Sequence, residues 1–202
     1  MIVRQLRAAA IAALILTAAC RPAEKSAQDA RADAANRVTT RPVLLYFEGA
    51  DGLLAPERRE MPLPQTDAAA IHPLLAALLA GPKTAGLPKP LPDGTIVRGA
   101  FVLPEGTAIV DLGGRTIQEG WQTGSHDELM AAYAIVQTAV VNLPSVKRVH
   151  ILVGGELAET LAGHIDLSKP LEPIPDLLTP RPPAARPPAA PAGEAAAAPQ
   201  TS

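Results

Sequence analysis

The sequence predicts an α/β fold, a small mixed sheet with two main helices on one face, flanked by disordered segments. Three observations predict it. Apolar runs rich in Val, Ile and Leu alternate with two stretches of helical period, in the order strand, helix, strand, strand, helix, strand. The 130 residues from Pro42 to Leu171 have the length of one ordinary domain and enough apolar mass for one two-layer core. Finally, the excess of 39 Ala and 22 Pro in 202 residues is concentrated at the ends. Residues 173 to 202 alone hold nine of each, a composition that cannot assemble a core.

The amino terminus has the order of an export signal: Arg4 and Arg7, then an uncharged stretch from Ala8 to Ala19, then Cys20, the only cysteine. As a helix the uncharged stretch would rise about 18 Å, short of the ~30 Å hydrocarbon core, so a permanent span is disfavoured. LTAAC at 16 to 20 resembles a bacterial lipobox, with Thr17 where Leu is commonest. The resemblance implies a signal peptide over 1–19 and a thioether-linked, palmitate-bearing lipid on Cys20. A plain secretory cut would leave an unpaired thiol in an oxidising compartment. Segment 20–41 mixes charges with small residues and reads as a flexible tether.

In the body, PVLLYFEG at 42 to 49 is the first strand, followed by a turn signal at Asp51 and Gly52. The prolines 56, 62 and 64 then predict only a short edge strand, and Glu57, Arg58, Arg59 and Glu60 read as a solvated face. Leu74, Leu75, Leu78 and Leu79 share a helical face within 67–80, with Thr66 as a cap. Pro73 places the start of the regular part near His72. Residues 95 to 103 and 107 to 112 alternate as two strands of an antiparallel hairpin, with Gly106 in the left-handed position. Ser125 and Glu128 have the spacing of a capping box at the head of a helix over 126–142, whose apolar face runs through Leu129, Ala132, Tyr133, Val136 and Val140. A last strand spans 146–153, and Gly154 and Gly155 turn the chain. From Glu172 to Ser202 a Pro/Ala-rich tail without periodicity is expected to be disordered or extended.

Several chemistries are excluded by residue type. A net charge of -2, with 18 basic and 20 acidic residues dispersed, gives no stripe for nucleic acid to follow, and five aromatic residues offer no base-stacking platform. His72, His126, His150 and His164 show no metal-ligand spacing, and no GxSxG or phosphate-loop motif is present. No cofactor, metal or catalytic residue is expected. The strongest enzyme reading, His164 with Asp166, is better explained as turn formation, with Asp166 capping toward Ser168. The candidate binding residues are Arg58 and Arg59 beside an edge strand, Lys147 and Arg148 at the start of a late strand, and Trp121, outside every periodic run.

The chain resembles the GerMN domain of sporulation and spore germination proteins. The resemblance covers about residues 42–171 and rests on LLYFEGADGLLAPERRE, ALLAGP at 77 to 82, GLPKPLPDGTIV at 86 to 97, AIVDL at 108 to 112, HDELMAAYAIVQTAVVNLPSVKRVHILVGGE at 126 to 156, and GHIDLSKPL at 163 to 171. It implies a fold like that of ring-building modules of envelope assemblies and a binding or scaffolding role without catalysis. The expected function is therefore that of a lipid-anchored lipoprotein of the bacterial envelope. Its partners would be membrane lipid through Cys20, envelope proteins or cell-wall polymer, and further copies of itself. The alternatives are a ring-forming subunit of a sporulation or germination complex, and a hydrolase at the cell wall. If the cell has two membranes, Arg21 after the Cys points to the periplasmic face of the outer one.

Overall fold

The computed structural model describes residues 37–180. The leader 1–19, Cys20, the rest of the tether up to residue 36, and tail residues 181–202 lie outside the described residues.

The first two strands, β1 (Val38–Glu48) and β2 (Leu54–Pro64), form an antiparallel hairpin in unbroken register from Val38 opposite Pro64 to Glu48 opposite Leu54. β1 begins four residues before Pro42, inside the segment read as tether, because the β-branched Val38, Thr39 and Thr40 find partners in Pro62, Leu63 and Pro64. β2 is eleven residues long, not short. Its prolines cost nothing because all three fall on one parity. Pro56, Pro62 and Pro64 face Tyr46, Thr40 and Val38, and on that same parity the N–H groups of Leu44 and Tyr46 point away from β2, into a helix described below. These are the non-hydrogen-bonded pairs of the ladder, where a proline removes no bond.

The same period of two corrects the reading of the charged run. Arg58 and Glu60 project outward, with side chains 70% and 57% exposed, and meet at 3.5 Å. Glu57 and Arg59 project inward beside Val43, Leu45 and Phe47, with side chains only 10% and 9% exposed. The run is therefore half solvated face and half buried ion pair.

Helix α1 (Asp67–Leu79) follows and runs straight through Pro73, beginning at the residue after Thr66 rather than near His72. An interior proline costs about 3 kcal/mol. Here Ala70 and Ile71 ahead of it, and Leu74, Leu75 and Leu78 behind it, are buried to within 1% exposure on one stripe. At ~1.5–3 kcal/mol for each large buried side chain, burial outweighs the lost bond. Thr66 makes no side-chain cap; its carbonyl accepts from Ala69 and Ala70 N–H.

Strands β3 (Ile96–Val102) and β4 (Thr107–Gly113) form the expected hairpin, with a bulge between Val97 and Gly99. Gly106 has φ +92°, and a Cβ there would sit 3.0 Å from the Ser145 carbonyl oxygen, so both conformation and space require glycine. A five-residue helix, α2 (Arg115–Glu119), then buries Ile117 and was not anticipated. Helix α3 (Ser125–Asn142) leads to β5 (Arg148–Val153), which lies parallel to β4, and to the short β6 (Glu156–Leu157). The larger sheet has the order β3-β4-β5-β6, and the β1-β2 hairpin forms a sheet of its own. This is a small mixed α/β fold with two main helices.

α3 is its axis. Every residue from Met130 to Ala139 is buried, because the helix touches α1, β1 and β5 and so has no solvent face over that stretch. Two of its polar residues, Thr138 and Asn142, bond to β1. Tyr46 N–H donates to Thr138 Oγ1 at 3.1 Å, Leu44 N–H donates to Asn142 Oδ1 at 2.9 Å, and Asn142 Nδ2 donates back to the Leu44 carbonyl at 2.7 Å. Side chains of a helix thus satisfy the free edge of β1, which would otherwise bury unpaired donors.

The start of the tail also belongs to the folded body. Leu171 bridges Val149, a 3₁₀ turn spans Pro175–Leu177, and Leu178 bridges Leu54, with Thr179 N–H donating to the Leu54 carbonyl at 3.0 Å. Residues 172–180 form a strap that ends on the β1–β2 turn, where Thr179 Oγ1 donates to Asp51 Oδ2 at 3.1 Å.

Candidate functional site

Glu128 does not complete a capping box. The residue before the helix is Gly124, Ser125 makes no cap bond, and the Glu128 side chain is fully buried. Its carboxylate accepts the N–H groups of Leu161 at 2.7 Å, Ala162 at 2.9 Å and His164 at 2.8 Å, and His164 Nδ1 lies 3.1 Å away. Burial alone would raise the carboxyl's pKa, but the three backbone donors and the histidine outweigh it and hold the group below the ordinary carboxylate range. The polar pair His164 and Asp166 is thereby explained. His164 helps pin a loop, and Asp166 accepts from Ser168 N–H and Oγ, as the turn reading expects. Among the described residues no group of three or more His, Cys, Asp or Glu could hold a metal ion.

The predicted binding residues fall on different elements. Arg59 is a clamp: its Nε donates to Glu57 at 2.5 Å, its guanidinium donates to the carbonyls of Ala77 at 3.4 Å and Gly81 at 2.7 Å, and it lies 5.6 Å from the centroid of Phe47. Glu57 in turn accepts from Lys83 and Thr84 N–H, so the pair fastens β2 to the end of α1 and the following loop. Burial works against the Glu57 anion, but the backbone and Arg59 donors bring its pKa to about 2. Arg58 is the exposed member. Lys147 is exposed, while Arg148 is half-buried, donating from Nε to Thr107 Oγ1 at 3.0 Å and lying 3.5 Å from Glu172. No hydrogen bond or ion pair among the described residues joins the 58–59 and 147–148 pairs.

Trp121 is half-buried between α2 and α3 and borders two hollows. One, of about 420 Å³, lies against α2, β6 and the 160–163 loop. The other, of about 550 Å³, lies between the β1–β2 turn, the proline-rich loop at 86–90 and the first half of α3.

A further surface escaped sequence reasoning. On the outer side of the larger sheet, Phe101, Ile109 and His150 are aligned across β3, β4 and β5, and Leu152 faces Leu157 across β5 and β6. Ile96, Phe101 and Leu157 are 57%, 64% and 67% exposed. The signal was present in β3, where apolar residues occupy both alternating positions, but the sequence order does not reveal that β3 is an edge strand.

Fold and site together define a small α/β module whose buried carboxylates Glu57 and Glu128 are spent on structure and whose outward features are an apolar sheet face and a tryptophan-lined hollow. The family profile described as Germane, sporulation and spore germination, matches residues 44–159. The chain belongs to this family, whose module is the GerMN domain. Among solved structures it is similar to the tandem GerMN domains of the sporulation protein GerM from Bacillus subtilis, at 21% identity and a TM-score of 0.53, covering 66% of this chain and 46% of that one. The first GerMN domain of the same protein aligns at 21% identity and a TM-score of 0.50, over 69% of this chain and 98% of that one. A candidate lipoprotein of Clostridium perfringens aligns at 26% identity and a TM-score of 0.49, over 69% of this chain and 93% of that one. No curated protein matches the chain.

Proposed function

We propose that this protein is a non-catalytic subunit of a bacterial envelope assembly of the sporulation or germination type, in which the GerMN domain binds or scaffolds other subunits while a lipid on Cys20 holds it at the membrane. The observation that carries the reading is the family match over 44–159. The outer sheet face supports it, since an edge strand with exposed Ile96 and Phe101 is suited to meet another protein surface. Cys20 serves as the anchor, and the exposed Arg58 and Lys147 with the half-buried Arg148 offer charged contacts on separate elements. No helix among the described residues is long and apolar enough to cross a membrane.

Sedimentation of the full chain, with crosslinking in cells, tests the assembly. Phe101→Glu is expected to shift higher-order species to monomer and to lose envelope crosslinks while unfolding at the same temperature. A wild-type chain that stays monomeric and crosslinks to no envelope protein defeats the proposal. Cys20→Ala is expected to lose lipid incorporation and membrane retention, and retention without lipid removes the anchor.

A further inference from the structure

The hollow of about 550 Å³ beside Trp121 has the make-up of a site for an extended, proline-rich peptide. Trp121 supplies an aromatic wall and Pro88 and Pro90 a stiff apolar one, while Met130, Ala131 and Ala134 of α3 lie beneath, none more than 4% exposed. Glu48 and Asp127 bring negative charge to the lining, each with one oxygen already engaged, Glu48 by His126 Nε2 at 2.9 Å and Asp127 by Thr123 Oγ1 at 2.5 Å. Lys89, the cation there, is engaged at 2.5 Å by Asp93. Aromatic-lined grooves take polyproline II segments because such segments are already extended and lose little entropy on docking.

This chain carries such a segment. Residues 181–190 read RPPAARPPAA, two copies of one pentapeptide, with Arg181 and Arg186 each before a proline pair. The described chain reaches the hollow's own wall just before it: Thr179 is held on Asp51, in the turn whose Gly49, Ala50 and Gly52 line the hollow. The strap passes Leu54 parallel to β2, so the tail must bend back over the turn to enter. Arg181 to Ala185 give about 17 Å of extended chain for that reversal. We infer that the second repeat, Arg186 to Ala190, docks in this hollow in cis, with Pro187 and Pro188 against Trp121 and Arg186 toward Glu48 or Asp127. The short tether raises the local concentration of the repeat to the order of millimolar, so a weak groove suffices. Docking makes the tail an internal competitor for any other ligand of the hollow.

Trp121 is the only tryptophan in the chain, so acrylamide quenching of the full-length protein reads the hollow directly. The triple variant Arg186→Glu, Pro187→Gly, Pro188→Gly is expected to raise the quenching constant about two-fold by freeing the ring. A synthetic peptide of sequence RPPAARPPAAPAG should then lower it again. Position is read separately, in a Cys20→Ala background with Ala50→Cys and Ala189→Cys, which should form an intrachain disulfide under dilute, mild oxidation. Unchanged quenching in the triple variant overturns the inference, as does absence of the disulfide. A crosslink formed only between chains assigns the hollow to the tail of a second copy and equally overturns docking in cis. Protection of the variant by a soluble cell-wall fragment, and not by the peptide, gives the hollow to the polymer and does the same.

Discussion

At the scale of single residues, the acidic groups of this domain act as anchors for distant backbone. Glu128 holds the N–H groups of residues 161, 162 and 164, Glu57 those of 83 and 84, Asp67 that of Ser145, and Asp111 that of Gly155. A carboxylate accepts several donors at once, and charge-assisted bonds are the stronger ones. In the sequence, Ser125 and Glu128 have capping-box spacing because the pattern contains no information about what lies across space. The two accounts make opposite predictions. Ser125→Ala is expected to change stability by no more than ~0.5 kcal/mol. Glu128→Ala, which leaves one buried and two part-buried backbone donors without their carboxylate, should cost about 3 kcal/mol. Urea unfolding measures both, and hydrogen exchange should quicken at Leu161, Ala162 and His164 in the second variant only. Equal costs would restore the capping box.

At the scale of elements, what was legible in the sequence was whatever depended on local period. The β3–β4 hairpin, its Gly106 turn, the extent of α3 and the last strand all follow from alternation, helical spacing or glycine chemistry within a few residues. What was not legible depended on partners. β2 is long because its prolines share a parity with β1 donors turned toward Thr138 and Asn142, and α1 survives Pro73 because Ala70 and Ile71 before it and Leu74, Leu75 and Leu78 after it are buried. Arg59 was read as a surface contact and is a clamp for the same reason: only the register shows that it shares the inner face with Phe47. The Glu57–Arg59 pair gives this level its test. The Glu57 pKa falls from 4.5 to about 2 on folding, so the unfolded chain binds the proton more tightly. The pair's contribution is full above pH 4.5 and is lost as pH drops toward 2. Glu57→Gln is expected to cost roughly 3 kcal/mol at pH 7 and to flatten the acid limb of the stability curve between those values. An acid limb as steep in the variant as in the wild type would assign it to other groups.

At the scale of the whole molecule, two sheets that share no strand are joined through both main helices, α3 touching β1 and β5 and α1 touching β2 and β3, and through a strap that crosses between them. Leu171 lies on β5, while Leu178 lies on β2. A family profile that ends at residue 159 and a composition that turns proline-rich after Glu172 both point to a domain closing before the strap. The contacts place the closure at Thr179. Ending the chain after Leu171 would remove the half-buried Leu177 and Leu178, the bond from Thr179 to Leu54 and the Glu172 partner of Arg148. At ~1 kcal/mol for each half-buried leucine and each hydrogen bond, the loss is about 2–3 kcal/mol, or a Tm lower by roughly 5–10 °C. Ending it after Pro180 keeps every one of these contacts, so Tm should stay within about 2 °C of the full chain, while Trp121 becomes easier to quench if the tail docks beside it. Thermal unfolding of the two truncated chains separates a strap that belongs to the fold from one that merely follows it. If both melt alike, the strap adds nothing to the joint that α1 and α3 already make between the two sheets.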